Sequence, residues 1–480
     1  MGNEVGAAAP ATRGAGAAPA GWGALLAGRN GIYALALAGG VTLHAVNIYI
    51  ATTVMPSVVD DIGGLEFYAW ATTLFVVASI LGAALTARLL AIAGPRGAYL
   101  SATLIFAAGT LACSLAPGMP VMLAGRSIQG LGGGFLYALA YGLTRIVLPE
   151  RLWGRAIGLI SAMFGVATLI GPAVGGMFAE HGAWRAAFFA LLPFAALFAL
   201  VAWTMLPGKG QGTNGRSPVP LLQLLLLAGA VLAVSAGSLS ADLSWNLAGL
   251  VAAAGMIALI AARDAGAGAR LLPRQSFSLA TPLGALYLAI ALLMISMQPE
   301  VFVPYMLRNL HGQSPLWAGY LAALMAIGWT AGSFLGARGK GDGRLLLLAS
   351  PAVVFAGLVL LALFLPLPGG GQAAVLVPVC LGLVLVGLGI GLAWTCLVTR
   401  VYRSAPAGEQ DLAAGGMTTV QLFAMAFGTA LAGMVANLAG IADPGGAAGA
   451  SSAALWLGSI FALAPVLCLA TIARVLRLTR

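Results

Sequence analysis

Charge is what this sequence has least of. Asp, Glu, Lys and Arg make up 8% of its 480 residues, whereas 61% are hydrophobic. Soluble domains are roughly one-quarter charged and about half apolar, so a water-soluble globule is excluded. No polar stretch is long enough to house a domain outside an apolar phase. The four cysteines, Cys113, Cys380, Cys396 and Cys468, are far apart in apolar runs with no C-x-x-C pair. They supply neither a disulfide framework nor a metal cluster, and each reads as a small buried hydrophobe. The three histidines, at 44, 181 and 311, form no H-E-x-x-H pattern, and no G-x-x-x-x-G-K-[ST] phosphate loop occurs. Nothing here predicts an enzyme, a cofactor or a bound metal.

Long apolar runs are what the chain does have. A hydrocarbon layer about 30 Å thick needs about 20 apolar residues in a helix. Runs of that kind, divided by charges and by Gly and Pro, fall at 31–53, 69–87, 98–116, 121–143, 156–178, 187–206, 220–238, 244–262, 282–305, 316–335, 346–366, 374–396, 414–438 and 454–473. The expected fold is therefore an all-α polytopic membrane protein with fourteen transmembrane helices. Residues 1–30, rich in Ala, Gly and Pro, read as a disordered cytoplasmic tail. They lack the basic and apolar regions of a signal peptide, and Gly6 stands where myristoylation at Gly2 needs Ser or Thr.

The formal charge of +10 does not predict a nucleic-acid partner, because the basic residues are scattered through short loops rather than clustered. Their distribution gives an orientation instead. Of 23 basic residues, all but three fall in alternate segments beginning with the N-terminal tail; Arg185 and Arg308 lie in the opposite set, and Arg126 lies inside the fourth span. An even number of spans with basic loops inside puts both termini in the cytoplasm. Two six-helix bundles are predicted, 31–206 and 282–480 with its short tail, joined by a linker, 207–281, that carries two extra spans. A pair of packed halves around a central cavity suits a rocking carrier.

Few residues depart from plain lipid-facing helix. Arg126, Gln129, Gly130, Gly133 or Gly134, and Tyr137 recur at three- and four-residue spacing in the fourth span. A guanidinium at mid-helix costs about 2.5–3.5 kcal/mol even on permissive insertion scales, so it must face protein or water and find a partner, or snorkel outward. Glu300, within Ser296-Met-Gln298-Pro-Glu300, is the one acidic side chain placed inside a span. Its charge state there depends on the balance between desolvation and any cationic neighbour, which makes it a proton-coupling candidate. His44 and Asn47 share a face of the first span; His44 is either a proton carrier or a neutral hydrogen-bond partner. Asn47, Gln129, Tyr137 and Gln298 are the candidate cavity residues. Gly165, Gly171, Pro172, Gly175 and Gly176 in the fifth span form a small-residue face, read as a pliable seam or as static close packing. A second such face is Gly387-x-x-x-Gly391.

These residues carry a resemblance. Leu123-Ala-Gly-Arg126-Ser-Ile-Gln129-Gly130-Leu-Gly132-Gly133 is similar to the fourth-helix motif of bacterial major facilitator superfamily transporters. The segment from Gly165 to Gly176 is similar to their antiporter-associated fifth-helix motif. Val59-Asp60-Asp61-Ile-Gly63-Gly64 followed by Tyr68-Ala-Trp70 resembles the first helix and outer loop of the fourteen-helix drug:proton antiporter branch, and Trp184-Arg185-x-x-Phe188-Phe189 fits it too. The resemblance assigns Arg126 a part in proton transfer or its control. Two positions depart from the pattern: Ala91-Ile-Ala-Gly94-Pro-Arg96-Gly97 lacks the Asp usual in that loop, and Asn47 stands where relatives often have an acid.

The resulting expectation is a proton-coupled efflux carrier for amphipathic or cationic organic compounds, with protons and membrane lipids as its other partners and a monomeric state. A carrier for one endogenous metabolite is the nearest alternative, and a membrane enzyme or lipid flippase is the reading from another class.

Overall fold

A computed structural model describes residues 22–208, 219–240, 242–264, 270–338, 343–406 and 408–479. Most of the expected tail, and most of the linker before the inserted pair, lie outside the described residues. The described chain folds as α1 (Gly28–Ile62), α2 (68–93), α3 (95–114), α4 (Met119–Val147), α5 (Glu150–Glu180), α6 (Trp184–Met205), α7 (Leu221–Gly237), α8 (Leu243–Asp264), α9 (Pro282–His311), α10 (Pro315–Arg338), α11 (Arg344–Phe364), α12 (Ala373–Ser404), α13 (Gln410–Leu438) and α14 (Gly446–Leu478). No strand occurs among the described residues, and the fourteen-helix, all-α membrane fold read from the sequence is the fold observed.

Several boundaries moved. A short helix, Trp22–Leu26, precedes α1, which starts at Gly28, so residues 22–30 are helical rather than part of a disordered tail. The apolar faces of Leu25, Ala34 and Leu37 explain this, since all three are buried in the bundle. The expected loop between the second and third spans shrinks to a single corner: Gly94 adopts φ 69°, and Pro95 starts the next helix. A glycine tolerates that φ without Cβ strain, and proline at a first helical turn sacrifices no hydrogen bond. Arg96, in the loop that lacks the usual Asp, donates Nε–H to the Leu206 carbonyl at 3.0 Å and so ties α3 to the end of α6. The ninth span runs on to His311 and is interrupted by a 3₁₀ turn, Gln298–Phe302, that contains Pro299 and is followed by Pro304.

Lipid gives apolar helices little reason to associate, so close packing through small residues must supply the cohesion. A Cβ on Gly82, Gly130 or Gly134 would collide with backbone atoms of facing residues in the α2–α4 pair, and one on Gly109 or Gly132 would do so in the α3–α4 pair. In the second half, Gly328, Gly332 and Gly336 of α10 press on carbonyls of α12, where Gly387 and Gly391 return the contact. Each half is thus locked backbone to backbone.

The halves meet along two seams, α5 on α10 and α2 on α13. The α7–α8 hairpin lies over the second of these, with Val231 and Val234 of α7 packed among Phe75 and Val76 of α2 and Ala426, Ala430 and Met434 of α13.

Two glycines separate close packing from open space. Alanine exceeds glycine in helix propensity by about 1 kcal/mol, so Gly165→Ala, where a Cβ meets nothing within 4 Å, should leave the thermal midpoint in detergent unchanged or raised. Gly332→Ala drives a methyl group into the Leu388 carbonyl and should lower the midpoint despite the same propensity gain, by an overpacking cost of about 1–3 kcal/mol. Equal midpoints for both variants would contradict the packing role.

Candidate transport site

The two halves are joined by polar contacts in the half of the bundle away from the termini. Arg308 of α9 donates to Asp60 Oδ2 and to Ser57 Oγ of α1, both at 3.0 Å. Ser314 donates to Glu180 at the α5–α10 end, and Asn437 donates to the Glu66 carbonyl at 3.0 Å. Tyr68 stacks on Phe302 with centroids 5.0 Å apart. Deeper in the same seam, Tyr320 reaches the Leu169 carbonyl at 3.3 Å. The neighbouring acid, Asp61, takes hydrogen bonds from Arg185 and from Trp184 Nε1 and so acts within the first half. Adjacent carboxylates therefore divide the work: one fastens the half to itself, and one fastens it to its partner. Towards the termini the picture changes. Gly142, Gly165 and Gly415 have nothing within 4 Å of a Cβ position, and α4 packs within its own half.

Arg126 is 1% exposed. Its Nε–H donates to the Ala71 carbonyl at 3.1 Å and Nη1–H to Gln129 Oε1 at 2.6 Å, while its guanidinium carbon lies 4.2 Å from the Phe75 ring centroid. Gln129 Nε2 donates onward to Thr110 Oγ1 at 2.9 Å. The partner that the sequence demanded is thus a neutral one, a carbonyl, an amide and an aromatic face, rather than a carboxylate. Cations on aromatic faces gain more when desolvated, up to about 2 kcal/mol.

His44 belongs to the same cluster, stacked with Phe75 at 5.3 Å and tilted against Tyr137 at 5.6 Å. Gly133 makes the room, since a Cβ there would strike His44 Nδ1. Tyr137 continues edge-on to Tyr141 and Phe164, giving an aromatic wall across α4 and α5. Asn47 is 0% exposed, and neither of its amide atoms has a hydrogen-bond partner; His44 Nδ1 and Thr73 Oγ1 are likewise buried and unpartnered. Buried polar groups without a protein partner are rare, and three of them share this face of α1 and α2.

Glu300 sits half-buried in the 3₁₀ turn of α9. Tyr49 of α1 has its Cβ against Gly171 of α5. Among the described acidic side chains, Glu300 alone lies away from a helix end or loop. It makes no ion pair with Arg126, whose hydrogen bonds go to Ala71 and Gln129. Gln298 turns the other way. Thr429 of α13 donates to its Oε1 at 3.0 Å, and its Nε2 donates to the Met294 carbonyl at 2.7 Å, so it pins α9 to α13. The fifth-span glycines also divide. Gly171 and Gly175 press on Tyr49 and Ile50 of α1 within the first half; Gly176 presses on Leu316, and Pro172 approaches Gly319, across to α10.

The sequence reading missed Tyr49, Tyr141, Phe164 and the Asp60–Arg308 bridge. A signal for the last existed, because the two acids at 60 and 61 and the two opposite-side arginines fall in the same set of loops. No group of three or more side chains able to hold a metal occurs among the described residues.

Known proteins share this architecture. The sequence profile of the Major Facilitator Superfamily matches residues 37–429. A probable multidrug-efflux transporter of Mycobacterium tuberculosis is 38% identical over 415 residues, 84% of this chain and 87% of that one. Multidrug resistance protein 3 of Bacillus subtilis is 26% identical over 347 residues, 69% of this chain and 66% of the relative. Among solved structures, a bacterial homologue of the human lysosomal transporter Spinster aligns at a TM-score of 0.60 with 16% identity, covering 93% of this chain and 96% of the other. A D-xylose–proton symporter aligns at 0.62 with 14% identity, covering 92% and 97%. The chain is a multi-pass membrane carrier for small organic solutes, and it belongs to the major facilitator superfamily.

Proposed function

We propose that the protein exports amphipathic or cationic organic compounds in exchange for protons, with Glu300 as the proton-responsive group. The observation that carries this reading is the position of Glu300: a lone carboxyl in a broken helix, two residues from Phe302, which stacks on Tyr68 of the other half, where polar bridges join the halves away from the termini. A protonated Glu300 tolerates an apolar surround, whereas an ionised one attracts a cation, so proton and cargo oppose each other at one group. The aromatic wall of Tyr137, Tyr141 and Phe164 suits flat or cationic apolar cargo. Proton entry supplies about 2.3 kcal/mol per charge per 100 mV, in addition to any pH gradient. The multidrug names of the relatives in Mycobacterium and Bacillus support the same cargo class. Arg126, held by neutral partners beside His44, sets the field in which that proton moves. The carrier acts as a monomer in a bacterial cytoplasmic membrane with both termini inside, so the bridged end faces outward.

A second reading, a carrier for one polar metabolite, draws on the unpartnered amide of Asn47 and the free Nδ1 of His44. Asn47→Leu separates the two: little change in export of apolar cations supports the first reading, and loss of all transport supports the second.

Glu300→Gln keeps size and hydrogen bonding but removes titration. In sealed vesicles it should abolish export driven by a pH gradient and flatten the pH dependence of cargo binding while downhill exchange persists; wild-type coupled transport would overturn the assignment. Arg126→Ala leaves Gln129 Oε1 unpaired, a loss of about 1–3 kcal/mol, and removes the second donor to the Ala71 carbonyl. It should impair coupling while cargo still binds, checked by comparing equilibrium binding with gradient-driven uptake at matched expression. For orientation, a cysteine introduced near Asp443 should react with an impermeant thiol reagent from outside, and one at either terminus should not. Opposite labelling of the two termini would overturn the topology.

A further inference from the structure

The inserted hairpin leaves an apolar groove at the end of the bundle that carries the termini. Leu227 of α7, Ile257 and Ile260 of α8, and Val420 and Phe423 of α13 wall it, and Phe277 stands at its mouth. Ile260 is one turn below the last turn of α8, where Arg263 is exposed. The groove therefore runs from the headgroup level into the hydrocarbon level beside α13.

The segment from 270 to 281 is strapped across this mouth. The Asp264 carboxylate accepts the N–H groups of Leu271 and Leu272 at 3.0 and 3.3 Å. Glu409 accepts the Arg274 N–H at 2.8 Å and Arg270 Nη1–H at 3.1 Å, and Arg474 Nε–H donates to the Leu279 carbonyl at 2.6 Å. The Arg274 N–H, then the Arg270 guanidinium, hold the Glu409 carboxyl below its usual range, so it is ionised and occupied at neutral pH. Asp264 is 4% exposed and turned into the protein. Both acids are thus engaged by the strap itself. Outward the strap presents the Arg274 side chain, 72% exposed although its Nε lies 3.9 Å from Glu409 Oε1, and Phe277 and Leu279, 41% and 48% exposed.

Exposed apolar side chains beside exposed guanidinium groups, above a slot with apolar walls, match a molecule with an anionic head and a hydrocarbon tail. We propose that the groove between the α7–α8 hairpin and α13 binds an anionic phospholipid, one acyl chain lying along Ile257, Ile260 and Val420, and the phosphate held by Arg263 and Arg274. A bare phosphate leaves the slot unused, and a neutral lipid leaves the arginines unused. The site sits on the hairpin that covers the α2–α13 seam, so occupancy fastens the hairpin to the second half.

Native mass spectrometry of the detergent-purified full chain, titrated with phosphatidylglycerol or phosphatidylcholine, tests this without any transport assay. A basic residue near a membrane surface strengthens anionic-lipid binding by about fivefold. The wild type should retain phosphatidylglycerol in preference to phosphatidylcholine, and the double variant Arg263→Gln, Arg274→Gln should lose about 30-fold of that preference at an unchanged thermal midpoint. Val420→Trp, which fills the slot, should weaken retention of both lipids. Equal retention of the two lipids by the wild type, a preference that survives the double substitution, or displacement of phosphatidylglycerol by glycerol phosphate at equal concentration would each overturn the proposal.

Discussion

In a hydrocarbon solvent the hydrophobic effect does not hold one apolar helix to another, and every other feature of this fold follows from how that deficit is met. Here it is met by glycine. Gly130 and Gly134 let α4 lie backbone to backbone on α2, and Gly328, Gly332 and Gly336 do the same for α10 on α12. Such contacts are short, numerous and unforgiving of added bulk, so each six-helix half behaves as one solid piece. The same close approach places Arg126 within reach of the Ala71 carbonyl and the Phe75 ring.

The halves are joined by small-residue contacts too, Gly176 on Leu316 and Gly433 on Ala69, but at one end polar bridges are added to them. Arg308 on Asp60 and Ser57, Ser314 on Glu180 and Asn437 on the Glu66 carbonyl are hydrogen bonds and an ion pair at one end of the bundle. Exposed or half-exposed polar bridges exchange readily with water and contribute about 0–1 kcal/mol apiece. Bridges of that strength can break and re-form at one end of the bundle, which is what a rocking carrier requires there. His44 packs within the first half, on Phe75 and Tyr137, while the 3₁₀ turn that carries Glu300 meets the first half through Phe302 on Tyr68.

The fold was largely legible because span length and the alternation of basic loops are set by the bilayer itself. The site was legible only in part. Arg126, Gln129 and Tyr137 share a face at helical spacing, and the structure gathers them with His44. Gln298, expected to line the cavity, bonds to Thr429 of α13, a pairing between distant helices that no local spacing reports. The fifth-span glycines were read as one seam, yet each added residue rotates an α-helix by about 100°, so Gly175 meets α1 and Gly176 meets α10. The Asp60–Arg308 bridge joins residues of different halves, and no local periodicity reports such a pairing.

The central claim is that two rigid halves separate at the Asp60–Arg308 end during each transport cycle. A protein carrying Asp60→Cys and Arg308→Cys, joined by a short thiol-cleavable cross-linker and reconstituted in vesicles, tests this within one sample. The account predicts no transport while the link is intact and recovery when it is cleaved. Undiminished transport by the fully linked protein would contradict it.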